Sequence, residues 1–230
     1  MTAPASGGAA PVAARRDWQD WARTNIRRVS IGVGVIVVVV AAVFAYLASE
    51  KRKEEFAASA LSQAWSTVEA GNMALASNDL SRLVERYGGT RAADEAFVLL
   101  SELRLLGGQD DIAVRTLQQF VAQRHPKYYL ASAYSLLGGG LENLNRFADA
   151  AKAYRAAADN ADLAFLKAQY LIDASRAFAL ARDTASAKAA LGEVLSKYGS
   201  LSQSAEARVR MGEIGGEAPP PPPPPKSNDR

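Results

Sequence analysis

The sequence contains no cysteine and one histidine, His125. The lack of cysteine excludes disulfides, thiolate-bound zinc, a thiol nucleophile and a lipid anchor on cysteine. His125 precedes Pro126, which predicts a turn at the end of a helix, and no carboxylate near it in the sequence suggests a metal site. These absences remove most of the side-chain chemistry that enzymes use, so we expect neither catalysis nor a cofactor.

Strand and phosphate-loop signals are also scarce. The only β-branched run lies within residues 29–43, and the glycines at 32–34 and 138–140 lack both a preceding strand and the residues that complete a nucleotide-binding loop. The adjacent acids Asp110 and Asp111 begin a predicted helix, where they complement the helix dipole rather than form a metal pair. The sequence therefore predicts an all-α protein without a nucleotide or metal site.

The net charge of +3 is unevenly distributed along the chain. Residues 1–28 carry five arginines and two aspartates, whereas residues 49–217 carry 20 basic and 21 acidic side chains. A nucleic-acid-binding domain concentrates basic residues on its folded part, and this chain does not. We therefore expect no nucleic-acid partner.

Residues 29–48 form an uncharged apolar segment. A helix of this length spans about 30 Å, the thickness of the hydrocarbon core of a bilayer. A cleaved signal peptide is the alternative, with a weak cleavage site at residues 43–45. We favour an uncleaved signal anchor in contact with membrane lipid, because the apolar run exceeds the roughly 7–15 residues of a signal-peptide core.

The flanks of this segment predict its orientation. Residues 1–28 form a tail in which Trp18 and Trp21, among arginines, suit a short helix in the headgroup region. Five arginines precede the span and three basic residues follow it, so the positive-inside rule places the N-terminus in the cytoplasm. We expect a single-pass protein of the bacterial inner membrane whose remaining chain lies in the periplasm.

A 37-residue repeat occupies residues 49–217. Equivalent positions keep the same residue size in four copies, which is a strong signal of stacked helix pairs. The most regular columns are Ala76, Ala113, Ala150 and Ala187; Leu80, Leu117, Tyr154 and Leu191; and, always small, Ala64, Ser101, Gly138 and Ser175.

The third copy, residues 134–162, shows the pattern most clearly. It reads as two short helices joined by a turn at residues 143–145, with an aromatic residue, Leu-Gly, a large residue, then Ala, aromatic, Ala. This order resembles the tetratricopeptide repeat. The resemblance implies an α-solenoid of about four helix pairs, in which residues 201–214 form a capping helix. Glycines at the ends of the second helices, and Thr90 and Ser202 before the next helices, predict the helix boundaries.

A stacked array of this kind has a concave face lined by the first helix of each pair. Its early part is apolar and its later part small and polar, which suits a peptide or partner helix with an apolar anchor. Alternatively, Trp65 and Val68 pack beneath the next helix. The candidate protein-binding groove consists of Leu61, Trp65, Val68, Val98, Glu102, Leu105, Ser135, Gly139, Glu142, Gln169, Ile172 and Arg176.

Residues 218–230 form a separate tail with seven consecutive prolines at 219–225. Such a run favours the polyproline II conformation, about 22 Å long at ~3.1 Å per residue. It is either a ligand for a proline-binding groove or a stiff spacer, and the sequence alone favours the spacer.

The whole layout resembles a bacterial family of signal-anchored tetratricopeptide proteins that includes the ancillary subunit of the SecYEG translocon. The likeness covers about residues 15–214 and is clearest at residues 87–106, where a Tyr-Gly turn with Thr90 leads into an alanine-rich helix. It implies a scaffold that links the translocon to periplasmic chaperones or nascent chains. A structural or assembly subunit of another inner-membrane or envelope complex is the alternative.

Overall fold

A computed structural model describes residues 24–215, which form nine α-helices and no strand. The all-α class predicted from the sequence is thus confirmed, with a tetratricopeptide-like arrangement of the helices. The tail at 218–230 and residues 15–23 of the proposed headgroup helix at 15–28 lie outside the described residues. The helices are α1 (Ile26–Glu69), α2 (Met73–Tyr87), α3 (Arg91–Leu106), α4 (Asp110–Val121), α5 (Lys127–Asn143), α6 (Phe147–Asn160), α7 (Ala164–Leu180), α8 (Thr184–Lys197) and α9 (Gln203–Glu213).

Helix α1 contains the apolar segment and runs without interruption for 44 residues. Of the described helices it alone is long and apolar enough to cross a membrane, with a mean hydropathy of 2.8 in its most apolar window and none of that window buried. A membrane anchor and an N-terminal signal sequence share these properties. Internal contacts divide the chain into two units after Lys53, and the helix pairs belong to the unit that begins at Glu54.

The positions that repeat every 37 residues in the sequence are the positions that form the core. The four repeated alanines, one in each second helix, are all 0% exposed. Because an alanine lets two helices approach closely, this column brings the helices of each pair into contact, and large residues one turn later fill the remaining space. The residues of the large column are likewise buried: Leu80, Leu117, Tyr154 and Leu191.

The turns inside the four pairs share one geometry. Gly71, Gly108, Asn145 and Arg182, spaced 37 residues apart, have φ of 76°, 70°, 57° and 64°. In each turn the next residue donates its N–H to the carbonyl five residues earlier, as Gln109 does to Arg104 at 2.8 Å. This is the hydrogen bond of a Schellman helix end, which requires a left-handed residue. The chain therefore reverses identically in all four pairs.

The predictions for the boundaries between pairs are confirmed only in part. Thr90 caps α3 as predicted, since its Oγ1 accepts a hydrogen bond of 3.1 Å from the N–H of Ala93. The prediction for Ser202 is wrong: its backbone is already helical, and its hydroxyl contacts Gln203 instead of a backbone N–H. Gly199 is also not left-handed, in contrast to Gly89, with φ of 86°. Helix α9 nevertheless packs on α7 and α8 and covers the last pair.

Candidate protein-binding groove

Two adjoining depressions lie on the face formed by α1, α3 and α5, the first helices of three successive pairs. Their volumes are about 420 and 240 Å³, and Trp65, Glu95 and Tyr129 line both. We call this surface the aromatic groove. Its lining consists of Glu54, Ala58, Leu61, Ser62, Trp65, Arg91, Ala92, Glu95, Val98, Leu99, Glu102, Tyr128, Tyr129 and Ser132.

Helical periodicity places these side chains on one face. Glu95, Val98 and Glu102 follow one another at intervals of three and four residues along α3, and Tyr128 and Ser132 are four apart on α5. The repeated small and large residues occupy the faces of the same helices that point to the core. The groove residues lie on a second face of each helix, which points to solvent.

The floor and one wall of the aromatic groove are aromatic. Trp65 is 41% exposed and Tyr128 is 63% exposed, although both are large apolar side chains. Tyr129 lies beneath them, 8% exposed, with its ring edge-to-face against Tyr128 at 5.3 Å. Burial, with the negative charge of Glu95, raises the pKa of the Tyr129 hydroxyl. Exposed aromatic rings next to a buried one provide a surface that an apolar side chain of a partner can cover.

The charges around the aromatic groove are mainly negative. Glu95 and Glu102 are exposed and form no ion pair with any residue in the range 24–215. Glu54, by contrast, is occupied, because its two oxygens accept hydrogen bonds from the backbone N–H groups of Arg91 and Ala92 at 2.9 and 3.1 Å. The two unpaired carboxylates favour a partner with lysine or arginine near its apolar anchor.

The later half of the predicted groove contains a polar network. The guanidinium of Arg176 on α7 lies 2.8 and 2.7 Å from the two carboxylate oxygens of Glu142 on α5, and the Tyr154 hydroxyl donates to Glu142 at 3.1 Å. Asp173 lies 3.6 Å from the same guanidinium, and burial raises its pKa. Since these charges pair with one another, Glu142 and Arg176 already have partners within the domain.

The predicted site residues thus fall into separate groups. Leu61, Trp65, Val98 and Glu102 line the aromatic groove, whereas Val68 and Leu105 are half-buried against the core. Ser135, Gly139 and Gln169 are partly exposed farther along the first helices, and Glu142 and Arg176 pair with each other. The prediction that Ile172 lines the groove is wrong, because its side chain is 0% exposed and lies in the core of the last pair.

Ten of the fourteen lining residues are absent from the predicted groove, and three of these, Glu95, Tyr128 and Tyr129, give the site most of its charged and aromatic character. A signal for two of them was present. Glu95 lies one turn before the predicted stripe of α3, and Tyr128 lies seven residues before Ser135 on the stripe of α5. Extending both stripes to the helix starts would have found them. Tyr129 is 8% exposed and lines both depressions with the small accessible part of its side chain, which periodicity does not indicate.

A further depression surrounds the only histidine and corrects the expectation that it has no carboxylate nearby. His125 Nδ1 lies 2.9 Å from Asp94 Oδ1, and its ring stacks on Phe120 at 3.7 Å, which in turn stacks on Phe97 at 4.3 Å. Burial raises the pKa of the Asp94 carboxyl, and the nearby His125 opposes this rise. The cluster joins the start of α3 to the turn after α4. Across residues 24–215, no three potential metal ligands converge.

Comparison with known proteins agrees with this architecture. A family model described as Tetratricopeptide repeat matches residues 95–128, which covers most of α3, all of α4 and the first residues of α5. No curated protein matches the chain. The match lies mainly on the second helix pair. Together with the helical arrangement it supports a protein of the tetratricopeptide-repeat kind, whose repeats serve as scaffolds for protein–protein interaction.

Proposed function

We propose that this chain is a membrane-anchored protein-binding scaffold of the bacterial inner membrane and that it acts as an adaptor beside the Sec translocon. The observation that carries the binding role is the aromatic groove, where Trp65 is 41% exposed and the unpaired carboxylates Glu95 and Glu102 line the same surface. A large aromatic side chain kept at the surface of an otherwise well-packed domain is typical of a binding site.

The groove suits an extended or helical segment of another protein. Its aromatic floor accepts one or two apolar side chains, and Glu95 and Glu102 attract basic residues beside them. Nascent chains and chaperone segments present such side chains. The link to the translocon rests on the resemblance of the anchored layout to the family that includes the SecYEG ancillary subunit.

Site-specific crosslinking tests the function. A photoreactive amino acid replaces Trp65 in the full chain, and crosslinked partners are identified from native membranes. Lys152 on the second helix α6 is the control position, since its side chain is exposed and lies outside the aromatic groove. We expect translocon or chaperone components at Trp65 and not at Lys152. Recovery of only division or envelope-assembly proteins would refute the translocon role.

The proposed orientation is tested independently. A reporter enzyme that is active only outside the cytoplasm is fused after Ser200, and a cytoplasmic reporter is fused at the same site in a second strain. The arginines before the apolar segment predict activity of the first reporter alone. Activity of the second reporter alone would refute both the periplasmic location and the adaptor role.

A structural or assembly subunit of another membrane complex is the second candidate. Exposed apolar side chains also flank the turns of three pairs, outside the aromatic groove: Met73, Leu75, Leu106, Ile112 and Leu180, of which Leu106 is 77% exposed. Exposed apolar side chains of this kind favour an interface with another protein. This candidate predicts copurification with one complex at a fixed stoichiometry, whereas an adaptor dissociates during purification.

A further inference from the structure

The connections between successive helix pairs differ in charge from the turns within the pairs. From the last residue of one helix to the second residue of the next, the four connections contain four lysines or arginines and one acidic residue. The four turns, counted in the same way, contain two basic and four acidic residues. We call the edge that the connections form the connection edge, which consists of residues 87–92, 121–128, 160–165 and 197–204.

Side-chain contacts bring the starts of successive first helices together on this edge. Arg91 at the start of α3 lies near the hydroxyl of Tyr129 at the start of α5. Tyr128, the neighbour of Tyr129, lies near Tyr170 in the second turn of α7. The basic and apolar residues of these connections therefore belong to one continuous part of the domain.

The connection edge exposes apolar side chains beside basic ones. Tyr128 is 63% exposed, Leu163 is 52% exposed and Phe165 is 48% exposed, and all three lie outside the core clusters. The exposed basic residues of this edge that form no ion pair within residues 24–215 are Arg91, Arg124 and Lys127. Aromatic and apolar side chains among basic ones are typical of a surface that contacts the headgroup region of a bilayer.

The chain also enters the domain at this edge. Glu54 follows Ala48, the last residue of the apolar segment, by six residues, and it accepts hydrogen bonds from the N–H groups of Arg91 and Ala92. Six residues reach about 20 Å even when fully extended. In a membrane-anchored protein the start of α3 therefore stays near the bilayer surface.

We propose that the connection edge lies on the surface of the bilayer that holds the anchor, with Leu163 and Phe165 in the headgroup region and Arg124 and Lys127 at the phosphates of anionic lipids. This inference rests on the proposed function, in which residues 29–48 are a membrane anchor. Tyr128 belongs to both the connection edge and the aromatic groove. The contact thus places one end of the groove at the membrane, where a membrane-bound partner reaches it.

Charge favours a lipid surface over a protein as the partner of this edge. The turns within the pairs also expose apolar side chains, such as Leu106 and Leu180, but acidic residues predominate there. Anionic lipids attract basic residues and repel acidic ones, so they distinguish two edges that are both apolar.

A single fluorescent label tests the contact in the full chain. Because the sequence has no cysteine, Leu163→Cys can be labelled specifically with nitrobenzoxadiazole, and the protein is placed in nanodiscs of phosphatidylcholine and phosphatidylglycerol. Leu180→Cys is the matched control, since Leu180 is 50% exposed and ends α7, whereas Leu163 directly precedes this helix. A lipid with a quencher near its headgroup should quench the probe at Leu163 at least about twofold more, because the ends of α7 are about 25 Å apart.

Two results would overturn the proposal. Equal quenching at the two positions, or stronger quenching at Leu180, would show that the connection edge does not face the bilayer. A probe at Leu163 that is shielded from iodide in water but is not quenched by the labelled lipid would show that a protein covers this edge instead.

Charge reversal tests the role of the basic residues. Arg124→Glu with Lys127→Glu should reduce the lipid quenching at Leu163 to about the level at Leu180, and so should nanodiscs of phosphatidylcholine alone. Arg115→Glu with Lys152→Glu is the matched control, because these exposed residues occupy equivalent positions in the second helices α4 and α6. Circular dichroism checks that both variants are folded. An equal loss of quenching in both would mean that net charge, not the connection edge, attracts the domain, and would overturn the proposal.

The outcome is separable from that of the proposed function. Equal quenching at Leu163 and Leu180 in a chain that stays on the nanodisc and crosslinks a partner at Trp65 refutes the membrane contact and keeps the anchored scaffold. Selective quenching at Leu163 without any crosslinked partner keeps the membrane contact and refutes the scaffold role. A chain that does not stay on the nanodisc refutes the anchor and the membrane contact together.

Discussion

The carboxylate of Glu54 lies 2.9 Å from the backbone nitrogen of Arg91, 37 residues later in the chain. Its other oxygen accepts from the N–H of Ala92 at 3.1 Å, while the hydroxyl of Thr90 accepts from that of Ala93. The first N–H groups of an α-helix have no partner within the helix. A side chain of the first repeat therefore completes the start of α3 in the second, which couples neighbouring repeats.

We expect this contact of Glu54 to stabilise the folded domain. Glu54→Ala should lower the free energy of unfolding by about 1–2 kcal/mol, because two N–H groups and the positive end of the helix dipole lose an acceptor. Glu54→Gln, which keeps one acceptor oxygen, should cost less. Thermal unfolding of the full chain in detergent, followed by circular dichroism, measures both. Glu85→Ala, at an exposed position without such a contact, should fall within about 0.5 kcal/mol of wild type.

The turn after α7 offers a stabilising substitution. Arg182 is left-handed at φ 64° where the first two pairs have glycine. A residue other than glycine is strained by roughly 1–2 kcal/mol in this conformation, and glycine removes the strain. Part of this gain in stability is lost, because glycine also makes the unfolded chain more flexible. Arg182→Gly should therefore raise the melting temperature by about 2–4 °C. Gly108→Ala, at the equivalent turn, should lower it; a decrease with Arg182→Gly would show that the arginine side chain contributes more than its backbone costs.

Adjacent glycines of α5 should respond in opposite ways to alanine. A Cβ on Gly138 would lie 2.7 Å from the Tyr154 ring, so Gly138→Ala should destabilise the domain by about 1–3 kcal/mol. A Cβ on Gly139 would meet only the Tyr154 hydroxyl, at 3.7 Å. Because alanine favours the helix by about 1 kcal/mol, Gly139→Ala should be neutral or stabilising. Chemical denaturation distinguishes the two.

The same position tests the later half of the predicted groove. Gly139→Leu should leave the fold largely intact and weaken the partner crosslink at Trp65, because a large side chain fills space that the glycine leaves open. Unfolding by Gly139→Leu would mean that this glycine serves packing. An unchanged crosslink in a folded variant would confine binding to the aromatic groove.

The sequence was sufficient to predict most of the fold, because the fold repeats. A single alanine at Ala150 indicates little, but four alanines in one register can lie only in a repeated helix contact, and all four are buried. Helix boundaries that depend on one residue were less certain. Ser202 has the right chemistry for a cap, yet the chain is already helical there. Arg182 is left-handed because its turn is fixed by the packing of α7 against α8, not by its own preference.

The groove was harder to predict because periodicity gives the direction of a side chain but not its partners. Glu142 and Arg176 were correctly assigned to neighbouring first helices, but their mutual ion pair depends on how closely α5 and α7 approach. Ile172 has the helical position of a groove residue, and yet the last pair and α9 cover it. Contacts between repeats thus decide which residues on a helix face remain accessible to a partner.

Tyr154 should make the stability of the domain sensitive to alkaline pH. Burial, reinforced by the negative charge of Glu142, raises the pKa of its hydroxyl well above the ordinary tyrosine range. Because the folded state holds this proton more tightly than the unfolded chain, its contribution is fully present below about pH 10 and is lost as the pH rises above that value. Wild type should therefore lose stability steeply between about pH 10 and 12, the lower limit being the ordinary pKa of tyrosine.

Tyr154→Phe separates this effect from general alkaline unfolding. The variant lacks the hydrogen bond to Glu142 and should be about 1 kcal/mol less stable than wild type at pH 8. Since it has no phenolic proton to release at this position, its stability should fall less with pH, and the two stability curves should converge above pH 10. Denaturant unfolding at a series of pH values measures both curves. Parallel curves would show that ionisation of Tyr154 does not limit stability and that the alkaline transition arises elsewhere in the domain.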